Sequence, residues 1–183
     1  MLFKKINGFT LMETIVVIGL ISLILPIIFS IIFSITRHQA RVYVLSTVKR
    51  EGDNALSIIE NKLRNNAVSI FSDQALLNQV CTSLDYDGGD GTSFYISDKT
   101  GQWFKFSLSN DEIASSSSIP NSSQNLTSSS NTRITSFNIN CQQTSTFTQP
   151  VVGIAFTIEQ KQSQSQRVED IASLNYSTKI KLH

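Results

Sequence analysis

A chain of 183 residues with a net charge of +1 suits one domain plus one extended element. The charge is divided: residues 1–71 carry eight Lys/Arg against four Asp/Glu, and residues 72–183 carry seven against ten. That slightly acidic second part argues against a large electrostatic footprint for nucleic acid.

The chain opens on Lys4-Lys5-Ile6-Asn7-Gly8-Phe9-Thr10-Leu11-Met12-Glu13-Thr14, followed at once by the apolar run Ile15 to Ile35. As a helix that run is about 31 Å long, enough to cross a hydrocarbon core. Ser22, Ser30 and Ser34 can return their hydroxyls to helix carbonyls and do not prevent insertion. Glu13 is the anomaly. A carboxylate in hydrocarbon costs at least roughly 2.5–3.5 kcal/mol, so a charge kept there implies a partner, or else a side chain that snorkels to the headgroups. A secretory signal peptide would carry a small-residue cleavage site after its apolar core. Here the glycine precedes the core, Glu13 interrupts its start and no Ala-x-Ala follows Ile35. A plain signal anchor accounts for Lys4, Lys5 and the run, but not for Gly8-Phe9 or Glu13. Lys4 and Lys5 at one end face Arg37 and Arg41 at the other, so basic residues alone do not set the orientation.

Beyond the run, Leu45, Val48, Gly52, Ala55, Ile59, Leu63, Ala67 and Ile70 recur in steps of three or four, one apolar stripe of helical period. Glu60 with Arg64 adds a favourable i, i+4 pair. The pattern predicts one long helix from near Phe9 to near Phe71, with Pro26 as a potential kink. Gly19 and Gly52 permit close approach or bending. The period then changes to two. Ser93–Ser97 and Gln102–Leu108 read as strands joined by the turn Asp98-Lys99-Thr100-Gly101. Phe137, Ile139 and Cys141 alternate with polar residues, as do Val152, Ile154, Phe156 and Ile158. Ala172, Leu174, Tyr176, Ile180 and Leu182 share one face of a last strand. The expected fold class is α+β: a long N-terminal transmembrane and amphipathic helix packed on a small antiparallel sheet head. Ser115 to Thr132, rich in Ser and Asn with Pro120 inside, reads as a flexible surface loop. Its Asn121 and Asn125 sequons are the triplets such a composition generates.

Little in the chain carries chemistry. Asp85, Asp87 and Asp90 in the segment Asp85-Tyr86-Asp87-Gly88-Gly89-Asp90-Gly91 are a weak calcium candidate. The EF-hand spacing is not met, and a glycine-rich turn explains the segment as well. His38 and His183 stand apart from any Cys or carboxylate at metal spacing. No Gly-x-Ser-x-Gly, phosphate-binding glycine loop or Cys-x-x-Cys is present, so neither an enzyme nor a cofactor is implied.

Lys4 to Thr14 and the run behind it resemble the prepilin leader of type IV pilins and type II secretion pseudopilins. In that family a membrane peptidase cuts after the glycine, here Gly8, and methylates the new terminus, here Phe9. The resemblance implies that Glu13 pairs with the terminus of a neighbouring subunit during assembly. Ala55 to Ala67 is similar to the apolar-Glu-x-x-Leu-Arg-x-x-Ala segment of minor pilins of the W type and pseudopilins of the J type; tip subunits of the K type often lack the glutamate. The likeness covers about the first 70 residues and fades through the head. It implies a leader over residues 1–8, a transmembrane assembly helix over 9–36, its amphipathic continuation over 37–71 and an extracytoplasmic β-rich head over 72–183. Partners would be other pilin or pseudopilin subunits, the prepilin peptidase, an inner-membrane assembly platform, and membrane lipid before assembly. The chain would be a single-pass protein of the bacterial cytoplasmic membrane that later enters a pilus or pseudopilus. In such a head Cys81 and Cys141 would form a disulfide; buried free thiols are the alternative. The implied function is that of a structural minor subunit. Its rivals are a pilus-associated binding subunit for DNA uptake or adhesion, and an unprocessed single-pass protein.

Overall fold

The computed structural model describes residues 10–81, 94–120, 122–128, 130–145, 148–161 and 172–182, and the backbone of 86–87. The chain divides into two compact units, Met1–Val42 and Tyr43–His183.

One helix, α1, runs from Leu11 to Asn66 with Pro26 inside it. Thr10, which is not helical, caps one amide of the first turn: Glu13 N donates to its carbonyl at 3.1 Å and to its hydroxyl at 3.4 Å. At the other end α1 stops five residues short of the expected Phe71. Ala67-Val68-Ser69-Ile70-Phe71 forms strand β1 instead, entered directly from Asn65-Asn66. The reason is local. Asn is a weak helix former, and β-branched Val68 and Ile70 prefer a pleated surface. Ala67 and Ile70 remain buried as the apolar stripe requires, but they reach the core from a strand.

Two antiparallel sheets, rather than one, complete the second unit. The six-stranded sheet has the order β2-β1-β4-β5-β6-β7, made of β1, β2 (Gln79–Val80), β4 (Tyr95–Asp98), β5 (Trp103–Ser109), β6 (Glu112–Ser117) and β7 (Gln124–Asn125). The four-stranded sheet has the order β10-β9-β8-β3, made of β3 (Tyr86–Asp87), β8 (Thr132–Gln142), β9 (Val151–Gln160) and β10 (Ser173–Lys181). The period-two segments sit where alternation places them: Phe137, Ile139, Cys141, Val152, Ile154, Phe156 and Ile158 are all buried. One hydrophobic core joins them to Ile59 and Leu63 of α1 and to Ile96, Phe104 and Phe106 of the larger sheet. The Asp98 turn is held by its own side chain, whose Oδ1 accepts from Thr100 N at 2.8 Å, Thr100 Oγ1 at 2.7 Å and Gln102 N at 2.9 Å. Gly101 takes the left-handed φ of +78° that this turn needs. The hydrogen bond from the Thr100 side chain, with help from backbone amides, holds the Asp98 carboxyl below its ordinary range.

The expected loop over Ser115–Thr132 is corrected. Its first residues finish β6, paired to β5 through a two-residue turn at Asn110 and Asp111, both at positive φ. Ser115 is buried, as are Leu126, Thr127 and Thr132. Thr127 Oγ1 accepts from Ile113 N at 3.0 Å, and the Asn125 amide donates to the Glu112 carboxylate. Both polar residues of the Asn125 sequon are therefore committed to the fold; Asn121 lies outside the described residues. Small hydroxyl residues imitate a loop in composition while satisfying backbone amides within a sheet.

Candidate assembly helix

The two parts of α1 have different surroundings. From Leu11 to Val42 every residue is exposed, including Ile15, Val16, Ile18, Leu23, Ile27, Ile31 and Phe33. Hydroxyls here turn inward: Thr14 Oγ1 donates to Leu11 O at 2.8 Å, Ser22 Oγ to Gly19 O at 2.8 Å and Thr36 Oγ1 to Ile32 O at 2.8 Å. Between Ile15 and Ile35 the helix carries no charged side chain, and it is long and apolar enough to cross a membrane. Glu13 is exposed in its first turn, where the helix dipole favours an anion. It is the only carboxylate before Glu51. Gly8 and Phe9, the expected cleavage site, lie outside the described residues.

Within the second unit, residues 43–66 are fastened to the sheets. Val48, Gly52, Ala55, Ile59 and Leu63 are buried at helical spacing, whereas Leu45 of the same stripe is exposed. Polar side chains on the flanks reinforce the contact. Glu51 Oε2 accepts from Thr132 Oγ1 at 2.6 Å and Ser128 N at 3.3 Å. Glu60 Oε1 accepts from Thr178 Oγ1 at 2.5 Å, and Lys62 Nζ donates to Ser115 Oγ at 3.4 Å.

A close approach occurs at Gly52. A Cβ there would fall onto the ring of Tyr176, so only glycine lets the ring lie against the helix. The ring also stacks on Phe156, with centroids 5.0 Å apart. The Tyr176 hydroxyl lies 3.0 Å from both Lys49 O and Asp53 Oδ1 and shares its proton between them. Burial, then the Asp53 carboxylate, pushes the phenol up to about 12. Asp53 is held below its ordinary range, first by the hydrogen bond from Lys49 at 2.7 Å and then by Tyr176. Sequence reasoning placed Gly52 and Tyr176 on apolar faces but not together, because 124 positions separate them and no local pattern encodes that pairing. A glycine inside an amphipathic stripe was the available signal.

Cys81 and Cys141 are joined as a disulfide with Cα atoms 5.9 Å apart. Cys81 directly follows β2 of the larger sheet and Cys141 lies in β8 of the smaller, so the bond ties the two sheets together. Closing a loop between positions 60 apart stabilises the fold by roughly 4 kcal/mol in the chain-entropy account. Of the calcium candidates, Asp85 and Asp90 lie outside the described residues, and Asp87 is described only as backbone paired with Asn140. Among the described residues no group of three His, Cys, Asp or Glu is placed to hold a metal ion. No protein-family model, no curated protein and no solved structure was found to match the chain.

Proposed function

We propose that this chain is a minor subunit of a type IV pilus or of a type II secretion-like pseudopilus. In this reading a prepilin peptidase cuts after Gly8, Phe9 is methylated, and the subunit waits in the cytoplasmic membrane with its head outside until helix packing draws it into a fibre. The observation that carries the reading is the order of features along one element. Lys4-Lys5 and Gly8-Phe9 precede, and Glu13 sits in the first turn of, a helix whose first part is apolar and exposed and whose second part is buried against sheets. A helix that only supported a domain would have no use for the exposed apolar length, and one that only anchored it would have no use for Glu13. Glu13 and a neighbour's amino terminus are each costly in lipid, and stacking subunits lets them compensate each other. The K-type tip position suits the chain less well than the W or J type, because Glu13 is present.

The test is incorporation of Glu13→Leu, with processing followed in parallel. The variant inserts and is cut as the wild type is, but enters the fibre poorly; Glu13→Asp is milder. Normal incorporation of Glu13→Leu would reduce Glu13 to an interfacial residue and remove the assembly role.

A further inference from the structure

A basic collar follows the apolar run. Arg37, His38 and Arg41 are exposed and helical, and no ion pair among the described residues uses either arginine. No carboxylate lies between Glu13 and Glu51 to neutralise them. Arg37 and Arg41 are four positions apart and share a face of the helix.

Their depth is set by the helix rise. If Ile15–Ile35 fills the hydrocarbon core, Arg37 lies about 3 Å and Arg41 about 9 Å past its edge. The headgroup layer on each side is roughly 5–8 Å thick. Helical side chains lean toward the N-terminus of their own helix, which here is back toward the apolar run. Both guanidinium groups are therefore delivered into the headgroup layer. A guanidinium is a planar fork that takes two phosphate oxygens at once. Cations at this end also offset the orienting effect of Lys4 and Lys5, a cost to topology that a use at the bilayer surface would explain.

We propose that Arg37 and Arg41, with His38 between them, form a binding surface for the phosphate of an anionic phospholipid. The lipid fixes the depth of the helix before assembly. This rests on the membrane-anchor part of the reading above.

The test uses the full chain in vesicles. Gln39→Cys supplies the only free thiol, because Cys81 and Cys141 are bonded to each other. A donor fluorophore attached there reports energy transfer to headgroup-labelled phosphatidylglycerol or, separately, phosphatidylcholine. Each arginine near an anionic surface is worth about a fivefold preference. Transfer to the anionic lipid should exceed transfer to the zwitterionic lipid at least about fivefold. Arg37→Gln with Arg41→Gln should bring the two to parity, and Arg37→Lys with Arg41→Lys should keep part of the preference. Trp103, the only tryptophan and a residue of β5, monitors an intact head throughout. Equal transfer in the wild type, or a preference that survives the double Gln change, overturns the proposal. So does arginine-dependent transfer between two labelled copies in pure phosphatidylcholine, which would assign the collar to a second copy of the chain. A chain that fails to float with vesicles of either kind would instead remove the membrane anchor itself.

Discussion

Leu11–Val42 and Tyr43–Asn66 belong to one helix, yet they obey different rules. The first part is apolar around most of its circumference and buries nothing within the chain. The second part confines its apolar residues to one stripe and buries Val48, Gly52, Ala55, Ile59 and Leu63. A helix that is apolar all round needs a surrounding other than water, whereas a stripe needs only one neighbouring surface. The difference teaches that the second part is completed by its own chain and the first part is not. Matched substitutions at the same residue type in both parts break that comparison if they behave alike.

The largest contrast should come from isoleucine. Ile59→Ala removes a fully buried side chain and should cost about 2–5 kcal/mol of head stability. Ile21→Ala, at a position half exposed, should leave the head unchanged. Thermal unfolding of the full chain in micelles, followed by Trp103 emission, reads the head alone. Equal losses at both positions would mean that the first part is also packed within the chain.

The glycines sharpen the same point. Gly52→Leu must displace the Tyr176 ring and should destabilise the head by about 1–3 kcal/mol. A Cβ at Gly19 meets nothing within 4 Å, and Gly19→Leu should leave the Trp103 transition where it is. A silent Gly52→Leu would show that Tyr176 does not need the bare helix surface.

How much of this contrast was legible beforehand depends on the range of the signal. The stripe from Val48 to Leu63 follows from helical spacing alone, and the alternating segments named β8, β9 and β10 in advance. The helix end is not legible in the spacing, because Ala67 and Ile70 continue the helical period while also fitting a strand. The run Ser115–Ser117 resembles a loop in composition because serine content is the same whether the hydroxyls face water or backbone amides. Splitting of the strands into two sheets depends on cross-chain pairing, which short-range periodicity does not encode. The same holds for Tyr176 against Gly52. The candidate site was legible at the level of residue types, since one carboxylate before an apolar run needs no partner in the fold to be noticed.

The smallest effect concerns Tyr176 and pH. Its folded-state value of about 12 stands above the ordinary 10, so the fold favours the protonated phenol. That contribution is complete below pH 10 and is lost as pH rises from 10 to 12. Tyr176→Phe should cost about 1 kcal/mol at neutral pH, the net worth of one shared hydrogen bond. It should also flatten part of the fall in head stability between pH 10 and 12. An unchanged alkaline profile in Tyr176→Phe would detach the phenol from the stability of the helix contact.

The central claim is that the exposed first part of α1 becomes an assembly surface once the leader is removed, and the mature amino terminus tests it most directly. Mass spectrometry of the chain recovered from its native membrane should find N-methylated Phe9 as the first residue. Gly8→Leu should leave the precursor at full length. A mature chain that still begins at Met1, or at any residue other than Phe9, would contradict the account.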